Sequence, residues 1–516
     1  MVRPSAWALS AVLLPVVSAL PANAPWKQGH DAQGKRQYYS PPVDRAQAVI
    51  DTFKLSWEGY YKHAFPNDEL HPVTNTFGNS RNGWGASAAD ALSTALIMGE
   101  REIVNQIISY IPTIDWSVTS TSVSLFETTI RYLGGMLSGY DFLSGPLAHL
   151  ADNPAHVDAL LEQSVNLANN LSYAFQTPSG VPYNLLNLST RDWIREPNGL
   201  ATVGTLILEW TRLSDLTGNS SYASLVDKAE SCLLSPSPAS SEPFPGLLGT
   251  DIDPTTGAFL DARGGWIGGT DSFYEYLIKM WVYDPSRYEV LRERWEKAAD
   301  STITYLASRP LTCPDLTFVT TYNGTELQLT SEHLACFDGG NFILGGQVLG
   351  SSKYLQFGLS LVDGCHATYA STATHIGPEV FGWDPSLIPA GQEAFFAQNG
   401  FYILRPGYQL RPEVIESYYY AYRATGDTKY QDWAWDAFVA VNATTRVGSG
   451  YSTIRDVNVA GGGGFEDMME SFWFAEVLKY SYLIQVDDDA PWQVSKAGNN
   501  KWVWNTEAHP VRVYGQ

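Results

Sequence analysis

Charge is scarce in this chain of 516 residues: Asp, Glu, Lys and Arg together make up 17% of it, against a usual share of about 25%. Histidine and cysteine are scarcer still, at nine and four. No His-x-x-x-His or Cys-x-x-Cys spacing occurs, so nothing points to a zinc or other transition-metal centre, and no Cys/His cluster suggests a thiol nucleophile. Basic residues are outnumbered 32 to 54, leaving a formal net charge of −22. An acidic surface repels nucleic acid and anionic lipid, so neither is expected as a partner. Beyond the N-terminal region no apolar run is long enough to span a bilayer. No membrane anchor is expected.

What is present is a large apolar and aromatic inventory, 44% hydrophobic and 13% aromatic. Arg3, the apolar stretch Ala6 to Leu20 and the small residues Ala22-Asn23-Ala24 (or Val17-Ser18-Ala19) have the form of a secretory signal. Pro15 interrupts the stretch and it is short for a span. The expected organisation is a signal over residues 1–24 and one domain over 25–516. The chain is expected to be secreted, since Val513-Tyr514-Gly515-Gln516 carries no retention signal. Asn170, Asn187, Asn219, Asn323 and Asn442 begin Asn-x-Ser/Thr sequons, as suits passage through a glycosylating lumen. In that oxidising setting the four cysteines permit three fully paired connectivities.

Most of the chain reads as helices joined by Gly/Pro/Asn-rich loops: Val43–His63, Ala86–Met98, Glu100–Ile111, Ser122–Leu143, Pro154–Phe175, Gly199–Leu216, Tyr222–Leu233, Asp271–Val282, Tyr288–Leu306, Gly340–Val362, Glu413–Ala424, Lys429–Val441 and Glu466–Ile484. A weak repeat runs through them. Leu216-Thr-Gly-Asn219-x-x-Tyr222 and Ala424-Thr-Gly-Asp427-x-x-Tyr430 each read as a helix closed by glycine, a capping Asn or Asp, and a ring entering the next helix. Met98-Gly99-Glu100-x-x-Ile103 echoes the form. Recurrent antiparallel pairs imply a closed α/α toroid or an open solenoid, and the irregular period with long loops favours closure. A short β element is expected near the end, at Trp502-Val503-Trp504 and Val511-Arg512-Val513.

Acidic residues recur inside apolar, aromatic helices, where a lone buried charge would cost several kcal/mol. Glu127 and Arg131 share a helix face, which a simple salt bridge explains as well as a site does. Asp271 follows glycines and suits a helix cap, yet its like-charged neighbour Glu275 one turn on is not explained by capping. Glu413 and Glu416 stand beside Tyr418, Tyr419 and Tyr420, and either helix-start chemistry or a sugar site accounts for them. After Gly461 to Gly464, Phe472 and Glu476 share a face; a core aromatic is the plain alternative. No Gly-Lys-Ser/Thr follows the glycines, which favours a tight loop at the mouth of a helical barrel over a phosphate cradle. Paired carboxylates with aromatics point to glycoside hydrolysis. Residue chemistry alone stops there.

Several of these runs, in order, resemble one family. Asn67-Asp-Glu-Leu70-His-Pro72, Trp84-Gly-Ala through Ile97-Met-Gly99, Phe126-Glu-Thr-Thr-Ile-Arg131, Asp271 to Leu277, Arg411-Pro-Glu413 through Glu416-Ser, Glu470-Ser-Phe472 through Glu476, and Asn505-Thr-Glu-Ala-His-Pro510 are similar to the class I α-1,2-mannosidases, glycoside hydrolase family 47, of secreted filamentous-fungal type. The resemblance implies a mainly α fold, an (α/α)7 barrel plugged by a C-terminal β-hairpin. It implies an inverting exo-mannosidase that trims terminal α-1,2-linked mannose from high-mannose N-glycans and needs Ca²⁺. A monomer acting on glycans or glycoproteins is expected. A non-catalytic glycan-binding relative of the same fold is the second reading. Thr506 would ligate the ion through its carbonyl and hydroxyl oxygens, with waters completing a hard-oxygen shell. Glu413, Glu416, Glu476 and Glu507 would accept from those waters. Glu127 matches the general acid, thought to act through a water, and Glu413 the base, with Asp271 the competing assignment. Glu379 matches a further proposed proton donor. Arg131, His333, Arg411 and Phe472, with Glu416, Glu476 and Glu507, match substrate-pocket positions. An inverting pair needs about 6.5–9.5 Å between carboxyls to admit the water. Cys336 and Cys365 match the family's disulfide; a Cys232–Cys313 bridge is a guess. Gly269 stands where reticulum-resident members carry arginine, which implies a wider cleft. Thr202 and Ser93 replace a common glutamate and aspartate.

Overall fold

The computed structural model describes residues 42–119, 121–486 and 489–516, with the backbone of a short hairpin at Gln28–His30 and Arg36–Tyr38. The expected signal at 1–24 lies outside the described residues. Two kinds of helix alternate along the chain. Some are buried on every side: Ala86–Met98, Asp271–Tyr283 over most of its length, Phe337–Val348 up to Gly346, and Glu413–Thr425 up to Arg423. Others bury one stripe, as Lys429–Thr445 does with Tyr430, Ala434, Ala437, Phe438 and Val441. A helix apolar all round belongs inside and an amphipathic one outside. The all-buried set, completed by 125–143, 200–217 and 473–483, forms an inner ring. Pro42–His63, Arg101–Tyr110, Pro154–Leu171, Ser221–Leu234, Glu289–Ser301, Ser352–Ala370 and Lys429–Thr445 form the outer one.

Consecutive inner helices pack on one another, and the ring closes where 473–483 meets Ala86–Met98 and Pro42–His63. Among the described residues this is a barrel of seven antiparallel pairs. The glycine-closed turns are as expected: Gly99, Gly218 and Gly426 end their helices with φ of 76°, 70° and 69°. A carbonyl-to-Cβ clash makes that conformation costly for other residues.

Two expected helices are corrected. Gly340–Val362 is not continuous but divides into Phe337–Val348 and Ser352–Ala370, because Gly350 takes φ +64°. Glu466–Ile484 is helical only from Trp473. Its first residues are drawn into backbone pairing instead: Glu466 N–H donates to Thr453 O and Met469 N–H to Leu70 O. Gly461 to Gly464 all have positive φ and turn the chain into that pairing.

The last hairpin pairs Trp502–Trp504 with Pro510–Arg512, Val503 opposite Val511. It packs on Asp271–Tyr283 and Gly134–Leu143, so it enters the ring and its tip is buried there at Asn505, Glu507, Ala508 and His509, with Thr506 half-buried. Cys336 and Cys365 are bonded and tie the inner helix from Phe337 to the outer one from Ser352. Cys232 and Cys313 are free, which corrects the guess of a second bridge. Cys232 lies by Ser179 and Gly257, Cys313 by Gln398 and Gly400, at unrelated places in the fold. Asn187, Asn219 and Asn323 are exposed, whereas Asn170 and Asn442 are half-buried. No described helix is long and apolar enough to cross a membrane.

Candidate active site

Glu127, Asp271 and Glu413 each sit in the first turn of an inner helix. Ser124 caps the first of these by accepting from Glu127 N–H at 3.2 Å. Asp271 is the opening residue of its helix rather than the cap, and its Oδ1 accepts from Ser272 N–H at 2.8 Å. Two inner segments contain π-turns, Thr129–Leu133 and Trp473–Val477, and these carry Arg131 and Glu476. A π-turn adds a residue to the ring of hydrogen bonds and so re-aims its side chains, a geometry that gathers at functional sites.

All of these side chains line one cavity of about 340 Å³, together with Arg411, Glu416, Phe472, Thr506 and Glu507. Ten of the sequence-derived site residues therefore meet in one hollow, drawn from separate helices and the plug. The other two stand just behind it. His333 is fully buried: its Nδ1 lies 2.7 Å from Glu413 Oε2 and its Nε2 2.7 Å from Tyr369 OH. Glu379 Oε2 accepts from Arg411 Nε at 2.7 Å, and its Oε1 from Gln409 N–H at 3.0 Å. Both brace lining residues.

The electrostatics divide the carboxylates. Burial raises Glu127, but the Arg131 and Arg81 guanidiniums, with Nε at 2.8 and 3.2 Å, outweigh it and hold Glu127 below its ordinary value. Glu413 is likewise held low, since the His333 contact and the Arg411 charge overcome burial. Asp271 goes the other way. Burial, reinforced by the charges of Glu332, Glu275 and Glu413, pushes it up to about 7, against a weaker opposing bond from Ser272 N–H.

At the cavity floor the plug tip is held from all sides. Asn505 Nδ2 donates to Glu209 Oε1 and Ile130 O, both at 2.8 Å, and Thr506 N–H donates to Tyr276 OH at 3.1 Å. Lys479 donates to Ala508 O and to Ser93 Oγ, and Ser93 Oγ lies 2.8 Å from His509 Nδ1. Thus Ser93, one of the departures from the family pattern, joins the brace. Ala508 itself is left-handed at φ +54°, a conformation that only such over-determination sustains.

Round Thr506 the acids outnumber the cations. Burial, and then Glu275, push Glu416 up to about 8. Glu476 and Glu507 are raised well above the ordinary range, by burial first and in Glu476 next by Glu507. Glu476 faces the charges of Glu507, Glu416 and Glu413, with Arg131 opposing them. Arg131 Nη1 approaches Glu507 Oε2 to 2.7 Å, yet that oxygen has no aligned donor. No three His, Cys, Asp or Glu side chains among the described residues converge closely enough to hold an ion directly. An acid-rich hollow short of donors suits a divalent cation ligated by Thr506 oxygens and water, with the glutamates one layer out.

Comparison with known proteins decides the family. The model of glycosyl hydrolase family 47 matches residues 52–513. The chain belongs to that family. It is 59% identical to a mannosyl-oligosaccharide α-1,2-mannosidase of Coccidioides posadasii, over 92% of this chain and 91% of that one. With its counterpart in Penicillium citrinum the identity is 58%, over 91% and 92%. The solved α-1,2-mannosidase from Trichoderma reesei superposes with a TM-score of 0.90 at 50% identity, covering 92% of this chain and all of that one. The family's (α/α) barrel is the fold described above.

Sequence reasoning missed several lining residues of this family 47 site: Arg81, Glu275, Gln409 and Glu470. Glu470 and Glu275 were in view as clustered acids, but Arg81 and Gln409 lie in loops with no periodic signal. Arg81 is placed by Asp68, whose carboxylate accepts from the N–H groups of Arg81, Gly83, Gly85 and Ala86 and from Tyr132 OH. The Asn67-to-Pro72 run is thus the brace of a loop.

His333 offers a direct test of bracing. His333→Ala is expected to lower kcat about 10- to 100-fold, the usual cost of losing a ligand's support, with KM changed less than about twofold. The acid limb of the pH–rate profile should move up, because Glu413 loses the partner that holds it low. An unmoved limb would reduce His333 to packing.

Proposed function

We propose that this chain is an inverting exo-α-1,2-mannosidase that removes terminal α-1,2-linked mannose from high-mannose N-glycans, with a Ca²⁺ requirement. One observation carries the reading: Glu127, Asp271 and Glu413, from three inner helices, face a single sugar-sized hollow floored by Thr506. The relatives named above are α-1,2-mannosidases by name, two of them of mannosyl-oligosaccharides.

In this reading Glu413, ionised and fixed by His333, accepts a proton from the attacking water. Asp271, which holds its proton toward neutrality, is the group best able to protonate the departing oxygen. Glu127, pinned in its ionised form by two arginines, then orders a water or a sugar hydroxyl rather than giving up a proton itself. This shifts weight from Glu127 to Asp271 as proton source, and Glu379, bound to Arg411, becomes a support. Arg131, Arg411 and Phe472 hold the sugar, the ring of Phe472 lying 5.7 Å from the Arg131 guanidinium. Bound through Thr506, calcium would supply charge that offsets Glu416, Glu476 and Glu507 and a seat for sugar hydroxyls. Gly269, at φ +94° on the cavity rim, leaves room for more than one branch. Secretion and glycosylation of the exposed sequons complete the proposal.

A timed digest of a nine-mannose glycan followed by mass spectrometry should show stepwise loss of mannose toward five. Proton NMR of the first product should show β-mannose. No release, as a non-catalytic binder would give, or initial α-mannose, would defeat the reading.

A further inference from the structure

A second cavity, of about 490 Å³, lies outside the active-site wall, between the outer helices Ser352–Ala370 and Lys429–Thr445 and the inner helix from Glu413. Thr374 on its rim bonds Val457 O through both N–H and hydroxyl, at 3.0 and 2.7 Å. Val457 N–H in turn donates to Pro406 O, and Gly407 O accepts from Glu379 N–H. A short span of loop thus separates the rim from the residues that brace Arg411.

The lining is built rather than accidental. His366 lies flat on the Trp433 indole, ring centres 3.6 Å apart at 7°. Its Nδ1 is 2.9 Å from Tyr418 OH. Burial, with help from the Lys429 charge, lowers His366 to about 4, so the ring is neutral at ordinary pH and offers one donor and one acceptor nitrogen. The Thr444 side chain, half-buried on the same wall, adds a hydroxyl and Asp436 a carboxylate. Between these polar points the wall is alanine, at positions 370, 437, 440 and 443. Aromatic edges, an apolar floor and a few spaced hydrogen-bonding groups are what a pyranose ring satisfies. An anion would meet Asp436, and a flat apolar ligand would leave the imidazole and hydroxyl unmet.

We propose that this cavity is an accessory hexopyranose site that holds a non-reacting mannose branch of the glycan whose other branch occupies the active site. The idea rests on the reading above of the substrate as a branched mannosyl oligosaccharide. Free mannose presents the same ring and is the other possible source.

The test compares a nine-mannose glycan with α-1,2-mannobiose, which has no second branch. Trp433→Ala and Ala443→Trp remove the aromatic wall and fill the cavity from an exposed position, respectively. Each is expected to raise KM for the glycan about fivefold, an aromatic contact's worth, and to leave kcat and the mannobiose kcat/KM unchanged. Equal KM for the glycan in wild type and in a folded Ala443→Trp protein overturns the proposal. Inhibition by free mannose that disappears in Ala443→Trp would overturn the branch assignment in favour of product binding. A wild type that cleaves neither substrate defeats the underlying function instead, which sets the two failures apart.

Discussion

Asp271→Asn is expected to abolish most turnover, lowering kcat by about 10²- to 10⁴-fold, the usual worth of a positioned proton donor, in a protein that still folds. The expectation follows from its surroundings. Asp271 is buried among Glu332, Glu275 and Glu413 and has Ser272 N–H as its hydrogen-bonding support, so it retains its proton up to about pH 7. Glu413, by contrast, gives its proton up below the ordinary carboxylate range. A donor that empties near 7 and a base that empties low together predict a pH profile of kcat/KM with an acidic plateau and a fall as pH rises through about 7. The sign for stability is opposite to that of a salt-bridged acid. Because the folded-state value is raised above the unfolded one, the native protein binds the extra proton, and stability is lost as pH rises between the two values. Asn carries no charge to desolvate, so the variant should melt no lower than wild type at pH 8. Substantial residual activity in Asp271→Asn, or a wild-type profile flat from pH 6 to 8, would return the role to Glu127.

The ring of helices was largely readable in the chain because its punctuation is local. Gly99, Gly218 and Gly426 each need a left-handed turn, and each is followed one helical turn later by a core residue, Ile103, Tyr222 or Tyr430. The same form stands at Gly350-Ser351-x-x-Tyr354, where an apolar run obscured it, and there one helix was expected instead of two. The seven-fold closure is not local at all. It depends on 473–483 returning to Pro42–His63; the long loops favoured a closed ring, but only the family resemblance implied seven pairs. At the site, the clustered acids were conspicuous because a helix core does not ordinarily hold them. What escaped was set by tertiary placement: Arg81 is delivered by a loop wrapped round Asp68, and His333, named only as a pocket residue, stands behind Glu413 across 80 positions as its brace. Neither the π-turns that aim Arg131 and Glu476 nor the extended stretch before Trp473 has a spacing that distinguishes it from a plain helix.

Removing divalent cations should lower the melting temperature by several degrees at pH 8 and very little at pH 5, with activity lost in parallel and restored by Ca²⁺. The acids near Thr506 set that pH dependence. Burial and mutual repulsion raise Glu416 to about 8, and Glu476 and Glu507 are likewise pushed well above the ordinary range for glutamate. Without a cation these groups hold protons in the folded protein that they release on unfolding, so stability falls as pH climbs from about 4.5 toward 8. A divalent ion competes for the same negative charge. At pH 5 protons already neutralise the cluster and the ion adds little; at pH 8 it replaces them. Ligand at about 100 times its Kd stabilises by about 2.7 kcal/mol, enough for a visible shift even in a chain of this size. Thr506→Val should shrink the chelator effect at pH 8, since it removes the hydroxyl but keeps the carbonyl and the hairpin. Melting that is indifferent to chelator at both pH values would mean the acids are neutralised by protons alone and that Thr506 is merely the end of a plug.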